Sequence, residues 1–172
     1  SLQAPDVELP IDPYVLGVWL GDGTSSDSGL TCDDPEIVEA IEAAGFPCVK
    51  STARLRYGIR GGLFRLLRVN GLLGNKHVPA PYLRASDRQR LELLRGLMDT
   101  DGHVTPYGRC EFTSMKAHLA ESVRELVLSL GWQAQVIQGE ATIDGRACGT
   151  KCRVTFTPDR DVFKIQRKSA RI

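Results

Sequence analysis

No stretch of the 172-residue chain approaches the roughly 20 consecutive apolar residues of a membrane-spanning helix, which excludes a helical membrane anchor within it. Nor is there an even set of cysteines behind an apolar leader. The five, at positions 32, 48, 110, 148 and 152, cannot all pair, and they read as reduced thiols of an intracellular, cytoplasmic protein. Cys148 and Cys152 have zinc-like spacing but no second Cys or His pair beside them, so small-residue packing is the better reading. Strong net charge is missing too: the chain carries only +1, which taken alone argues against a nucleic-acid partner.

That average hides a sharp division. Residues 1–49 contain ten acids and no Lys or Arg, whereas residues 50–95 contain eleven bases against two acids. A block this one-sided suits a polyanion as well as a solvated face.

The chain also repeats itself. VLGVWLGDG at 15–23 and LRGLMDTDG at 94–102 share one pattern, in which Gly17 matches Gly96, Gly21 matches Thr100, and Asp22 matches Asp101. Each is followed by a short strand-like run and an amphipathic helix ended by a C-cap glycine, over 35–45 and 116–131. In TARLRYGIRG, Arg54, Arg56 and Arg60 alternate with Leu55, Tyr57 and Ile59. In KCRVTFT, Lys151, Arg153 and Thr155 alternate with Cys152, Val154 and Phe156. Both runs predict strands with one basic or polar face and one apolar face. A short helix follows each, GGLFRLLRVNGLLG and DRDVFKIQRK, and near their ends stand Lys76 and Lys168. Ser86 is placed to cap the helix that opens the second copy. The expectation is an α+β domain over 1–172 made of two αββαββα half-repeats, about 12–84 and 86–172. Trp19 and Trp132 are assigned to the core and His103 to a loop.

Small residues four apart let two helix backbones approach closely. Packed as a pseudo-twofold pair, the repeated helices would deliver Asp22 and Asp101 side by side at their C-terminal ends. The helix dipole makes that end unfavourable for a carboxylate, so a positive charge is needed there. Two carboxylates with free last-turn carbonyls form an all-oxygen site suited to Mg²⁺ with its waters and a phosphate. Either Asp-Gly alone reads as a turn; two in register, with matching small residues, favour the paired site. Such centres hydrolyse phosphodiesters, and Lys76 and Lys168 could then hold the attacking water or stabilise the developing charge.

These motifs, with NKHVP and FKIQRK, resemble the paired dodecapeptide motifs and lysine blocks of LAGLIDADG homing endonucleases of the intein-encoded type, over Pro13 to Lys168. The resemblance implies a monomeric pseudo-dimer with motif helices at its interface, whose two antiparallel sheets form a saddle over double-stranded DNA. It implies a double-strand break at a long site, dependent on Mg²⁺ with Mn²⁺ as a possible substitute. Carried over, Asp22 and Asp101 are metal ligands helped by the carbonyls of Gly21 and Thr100, Lys76 and Lys168 are active-site lysines, and Arg54, Arg56, Arg60, Lys151 and Arg153 contact DNA. Ser1 is followed by no Thr-x-x-His block and no His-Asn ends the chain at Arg171 and Ile172, so an endonuclease domain separate from its splicing domain is expected. The alternatives are a catalytically inactive DNA-binding module on the same fold and an RNA-splicing maturase.

Overall fold

The computed structural model describes residues 4–170; Ser1, Arg171 and Ile172, on which the reading of the chain ends drew, lie outside them. Helix α1 (Pro13–Asp22) begins where the Asp12 side chain accepts the N–H of Val15, with Pro13 in the first turn. It is buried from Tyr14 through Leu20, as befits a helix enclosed on all sides. Then come β1 (Gly29–Thr31), α2 (Pro35–Ala43), β2 (Cys48–Lys50), β3 (Arg56–Ile59), α3 (Leu63–Val69) and α4 (Ala80–Leu83). The second series is α5 (Asp87–Asp101), β4 (Gly102–Val104), β5 (Cys110–Ser114), α6 (Ala117–Ser129), β6 (Ala134–Ile143), β7 (Arg146–Phe156) and α7 (Gln166–Ser169). Ser86 and Gln89 form a reciprocal capping box at the start of α5.

Two antiparallel sheets result, ordered β1-β3-β2 and β4-β5-β7-β6. The second series follows the expected αββαββα order in full. In the first, the opening hairpin shrinks to β1 and one bridge, Gly23 to Leu30. The predicted helix over DRDVFKIQRK is reduced to the single turn of α7, because side-chain carboxylates take the N–H groups that would begin it. Asp161 accepts that of Phe163, and Asp99 those of Lys164 and Ile165. His103, expected in a loop, is the middle residue of β4 and lies opposite Glu111. Trp19 and Trp132 are buried as expected, and Gly45 and Gly131 take the positive φ of C-cap glycines.

The interface between the series is α1 against α5. A Cβ on Gly17 would stand 2.4 Å from the Leu93 carbonyl oxygen, and one on Gly96 would stand 2.3 Å from that of Tyr14. Neither neighbour is a side chain that can swing away. Gly96→Ala should therefore force the helices apart and cost about 2 to 3 kcal/mol, at the upper end for overpacking. Urea unfolding checks this, and an unchanged midpoint would mean that the close approach is not needed for stability.

Candidate active site

The close approach brings the last turns of α1 and α5 together. A Cβ on Gly21 would lie 1.9 Å from Thr100 Oγ1 and 3.3 Å from Asp101 Oδ2, so the two helix ends share one small volume. Within it the Asp22 and Asp101 carboxyl groups are near enough to share a hydrogen bond. Burial raises Asp22 above the ordinary carboxyl range, while the hydrogen bond to Asp101 and the charges of Lys168 and Lys76 oppose the rise. Asp101 is pushed up to about 7, first by burial and then by the charge and hydrogen bond of Asp22. Without a cation the pair therefore keeps a proton close to neutral pH.

Both lysines are buried beside this pair, Lys76 at 7% and Lys168 at 8% exposure. Each caps the motif helix of its own half. Lys76 Nζ donates to the Gly23 carbonyl at 2.6 Å and lies 5.0 Å from the Trp19 ring centroid. Lys168 Nζ donates to the carbonyls of Met98, Asp99 and Gly102, at 3.0, 2.9 and 2.7 Å. They supply the positive charge that the helix C-termini require. Burial, and then the charge of Lys116, lower Lys76 to about 8; burial, and then Arg167, lower Lys168. A cleft holds Gly21, Lys76 and Asp101 together with Thr113, Lys116 and Lys151.

Among the described residues no three His, Cys, Asp or Glu converge. A cation at the helix ends would have two carboxylates, and its remaining positions would go to backbone carbonyls such as those of Gly21 and Thr100, to water or to a ligand. That donor set fits Mg²⁺ or Mn²⁺, not zinc. Thr100 Oγ1 already donates to Gly96 and Leu97, so its side chain is engaged within the helix. Cys148 is exposed and Cys152 buried, and neither belongs to a metal-binding cluster among the described residues. His103 Nε2 instead lies 3.0 Å from Glu111 Oε2.

The basic residues are placed less uniformly than their spacing predicted. Lys151 and Arg153 are exposed on β7, with buried Cys152 and Val154 facing the core. Thr155 breaks the alternation: it too is buried, and its hydroxyl has no hydrogen-bond partner. Arg60 is exposed just past β3. Arg54 is not on the strand at all. It sits in the turn ahead of β3, beside Leu55, whose φ of 58° turns the chain. Arg56 is on the strand, but its guanidinium already bonds Thr24 Oγ1 at 2.9 Å and pairs with Asp27 at 3.5 Å.

Sequence reasoning missed three participants. Tyr14 donates to Asp99 at 2.6 Å, Asp99 itself is 2% exposed, and His118 Nε2 contacts the Lys76 carbonyl at 2.7 Å. Only Asp99 left a signal, as an acid inside the apolar run of a motif helix.

Comparison with known proteins places these features. A family model described as LAGLIDADG-like domain matches residues 88–156, from α5 through β7. The replicative DNA helicase DnaB of Mycobacterium intracellulare is 41% identical over 169 residues, covering 98% of this chain. The chain spans 27% of that helicase's length. Among solved structures, I-DmoI in complex with DNA and Mn aligns with a TM-score of 0.57 at 13% identity, over 86% of this chain and 89% of that one. I-DmoI with DNA and Ca aligns at 0.56 and 13% identity, over 94% and 95%. Variants of the homing endonuclease I-DmoI align at 0.55 and 15%, over 86% and 88%. These likenesses establish the fold.

Proposed function

From the match of residues 88–156 to the LAGLIDADG-like domain and the fold shared with I-DmoI, we propose that this chain is a LAGLIDADG homing endonuclease, a site-specific, Mg²⁺-dependent endonuclease of double-stranded DNA that derives from an intein. The observation that carries the reading is the meeting of Asp22 and Asp101 at the ends of two packed helices, with a buried lysine on each side. Divalent cations held there would activate water and neutralise charge on the leaving oxygen of a phosphodiester. Asp22 and Asp101, with the carbonyls of Gly21 and Thr100, would hold them. Lys76 and Lys168 would present fixed charge to the attacked phosphate without reorganising. Lys151, Arg153 and Arg60 lie free for phosphate or base contacts, Arg54 could reach a phosphate from its turn, and Arg56 would first have to leave Asp27.

Both motif helices come from one chain, so a monomer has a complete centre. The likeness to a segment of a helicase supports an intein within a DnaB-type host, whose splicing domain would be the partner in the parent chain. The uninterrupted DnaB coding sequence, joined across the segment, is then the site to test. A plasmid carrying it should become linear with Mg²⁺, and with Mn²⁺ in its place, and stay circular with chelator. Specific binding of that duplex without any cutting would favour the inactive DNA-binding module. Preference for structured RNA over duplex DNA at one salt concentration would favour the maturase.

A further inference from the structure

Asp99 is a carboxylate in the last turn of α5, buried where both the helix dipole and desolvation oppose its charge. Three donors satisfy it. Tyr14, on α1, donates to Oδ2 at 2.6 Å, and the backbone N–H groups of Lys164 and Ile165 donate to Oδ1 at 3.0 and 3.4 Å. Three residues after Ile165 stands Lys168, whose Nζ is bound by the carbonyl of Asp99 itself at 2.9 Å. One residue thus fixes both ends of the segment carrying an active-site lysine: its side chain holds the approach, and its main chain holds the ammonium. The single turn of α7 has too few hydrogen bonds to fix that geometry alone.

The other half is built differently. The counterpart of Asp99 is Leu20, a buried apolar residue. Lys76 is oriented by the Gly23 carbonyl, the Trp19 ring and the contact of His118 with its own carbonyl. Among the described residues nothing corresponding to Asp99 supports it.

We propose that Asp99 is a positioning residue for Lys168 alone, so that the two cutting centres are unequal and Asp99 governs one of the two DNA strands. The strand assignment rests on the endonuclease reading above; the anchoring of residues 164–168 does not. The test measures cleavage of each strand with end-labelled duplex, alongside hydrogen exchange of the backbone. Asp99→Leu should slow one strand roughly 10- to 100-fold, as expected for a displaced catalytic group, and leave the other within about threefold. The slowed strand should be the one that Lys168→Met slows, and the two substitutions together should do little more than either alone. Asp99→Asn keeps an acceptor for the N–H groups of Lys164 and Ile165 and should restore most of the rate. Amides at 164 and 165 should exchange faster in Asp99→Leu than in the unsubstituted protein and in Asp99→Asn. If the leucine variant does not fold, Asp99→Ser, which leaves room for water, carries the same comparison.

Equal slowing of both strands, or unchanged exchange at Lys164 and Ile165, would overturn the proposal. Absence of cutting by the unsubstituted protein would instead count against the endonuclease reading, while the exchange comparison would still decide whether Asp99 anchors the segment.

Discussion

Asp101→Asn is expected to abolish double-strand cutting, by at least about a thousandfold, and at the same time to stabilise the metal-free protein above neutral pH. The two effects have one cause. Asparagine preserves the size of the side chain but cannot hold a cation as a carboxylate does, so the chemistry is lost. Duplex binding should survive, because the exposed bases Lys151, Arg153 and Arg60 are untouched. The stability effect follows from the proton. Asp101 is raised from 3.8 to about 7, so between those values the folded state holds a proton that the unfolded state releases. Stability therefore falls as pH rises through that window, and the whole penalty is present above about 7. Asp101→Asn avoids that penalty, since asparagine carries no charge at any pH in the window. In chelator at pH 8 the variant should melt higher than the unsubstituted protein, and at pH 5 the difference should shrink. Adding Mg²⁺ should raise the melting temperature of the unsubstituted protein and not that of the variant. Equal melting temperatures at pH 8 in chelator would mean that neither burial nor the neighbouring Asp22 penalises the ionised Asp101.

The helix pair was readable from sequence because its determinants lie within nine residues and occur twice. Small residues at Gly17, Gly21, Gly96 and Thr100 specify the close approach, and the approach places Asp22 beside Asp101. The sheets were readable where a strand is long. In β7 the alternation of Lys151, Cys152, Arg153 and Val154 became the alternation of exposed and buried faces. It misled at Arg54, because the pattern continued across Leu55 while the backbone turned there. The predicted C-terminal helix failed partly through Asp161, a local residue, and partly for a reason no local pattern contains: Asp99, 65 residues away from Lys164, takes the N–H that the helix would have used. The same distance hid the support of Lys168. Periodicity reports which face of an element is buried; it does not report which buried polar group completes another element's hydrogen bonds.

Replacing the two lysines should separate these levels. Lys76→Met keeps a long side chain to pack on Trp19 but removes the charge, so cutting should fall by roughly 100- to 1,000-fold, the usual consequence of losing one transition-state donor. Its effect on stability should be small. One carbonyl, that of Gly23, loses a donor, while a cation whose burial holds it down to about 8 no longer has to be desolvated. Lys168→Met should reduce cutting comparably and also destabilise the protein. Three carbonyls at the end of α5 lose this donor; that of Met98 keeps the Gly102 N–H, and any buried carbonyl left unsatisfied costs about 1 to 3 kcal/mol when water cannot replace the partner. Some relaxation will occur, so a net loss of about 2 to 4 kcal/mol is expected, read from urea unfolding at pH 7 with chelator present. Equal stability of the two methionine variants would show that Lys168 does not cap α5 in solution. Full cutting by Lys76→Met would remove Lys76 from the active site despite its place beside Asp101. The contrast follows from the count of acceptors: one carbonyl holds Lys76, whereas three tie Lys168 into the end of α5, so its loss removes a helix cap together with the charge it brings to the site.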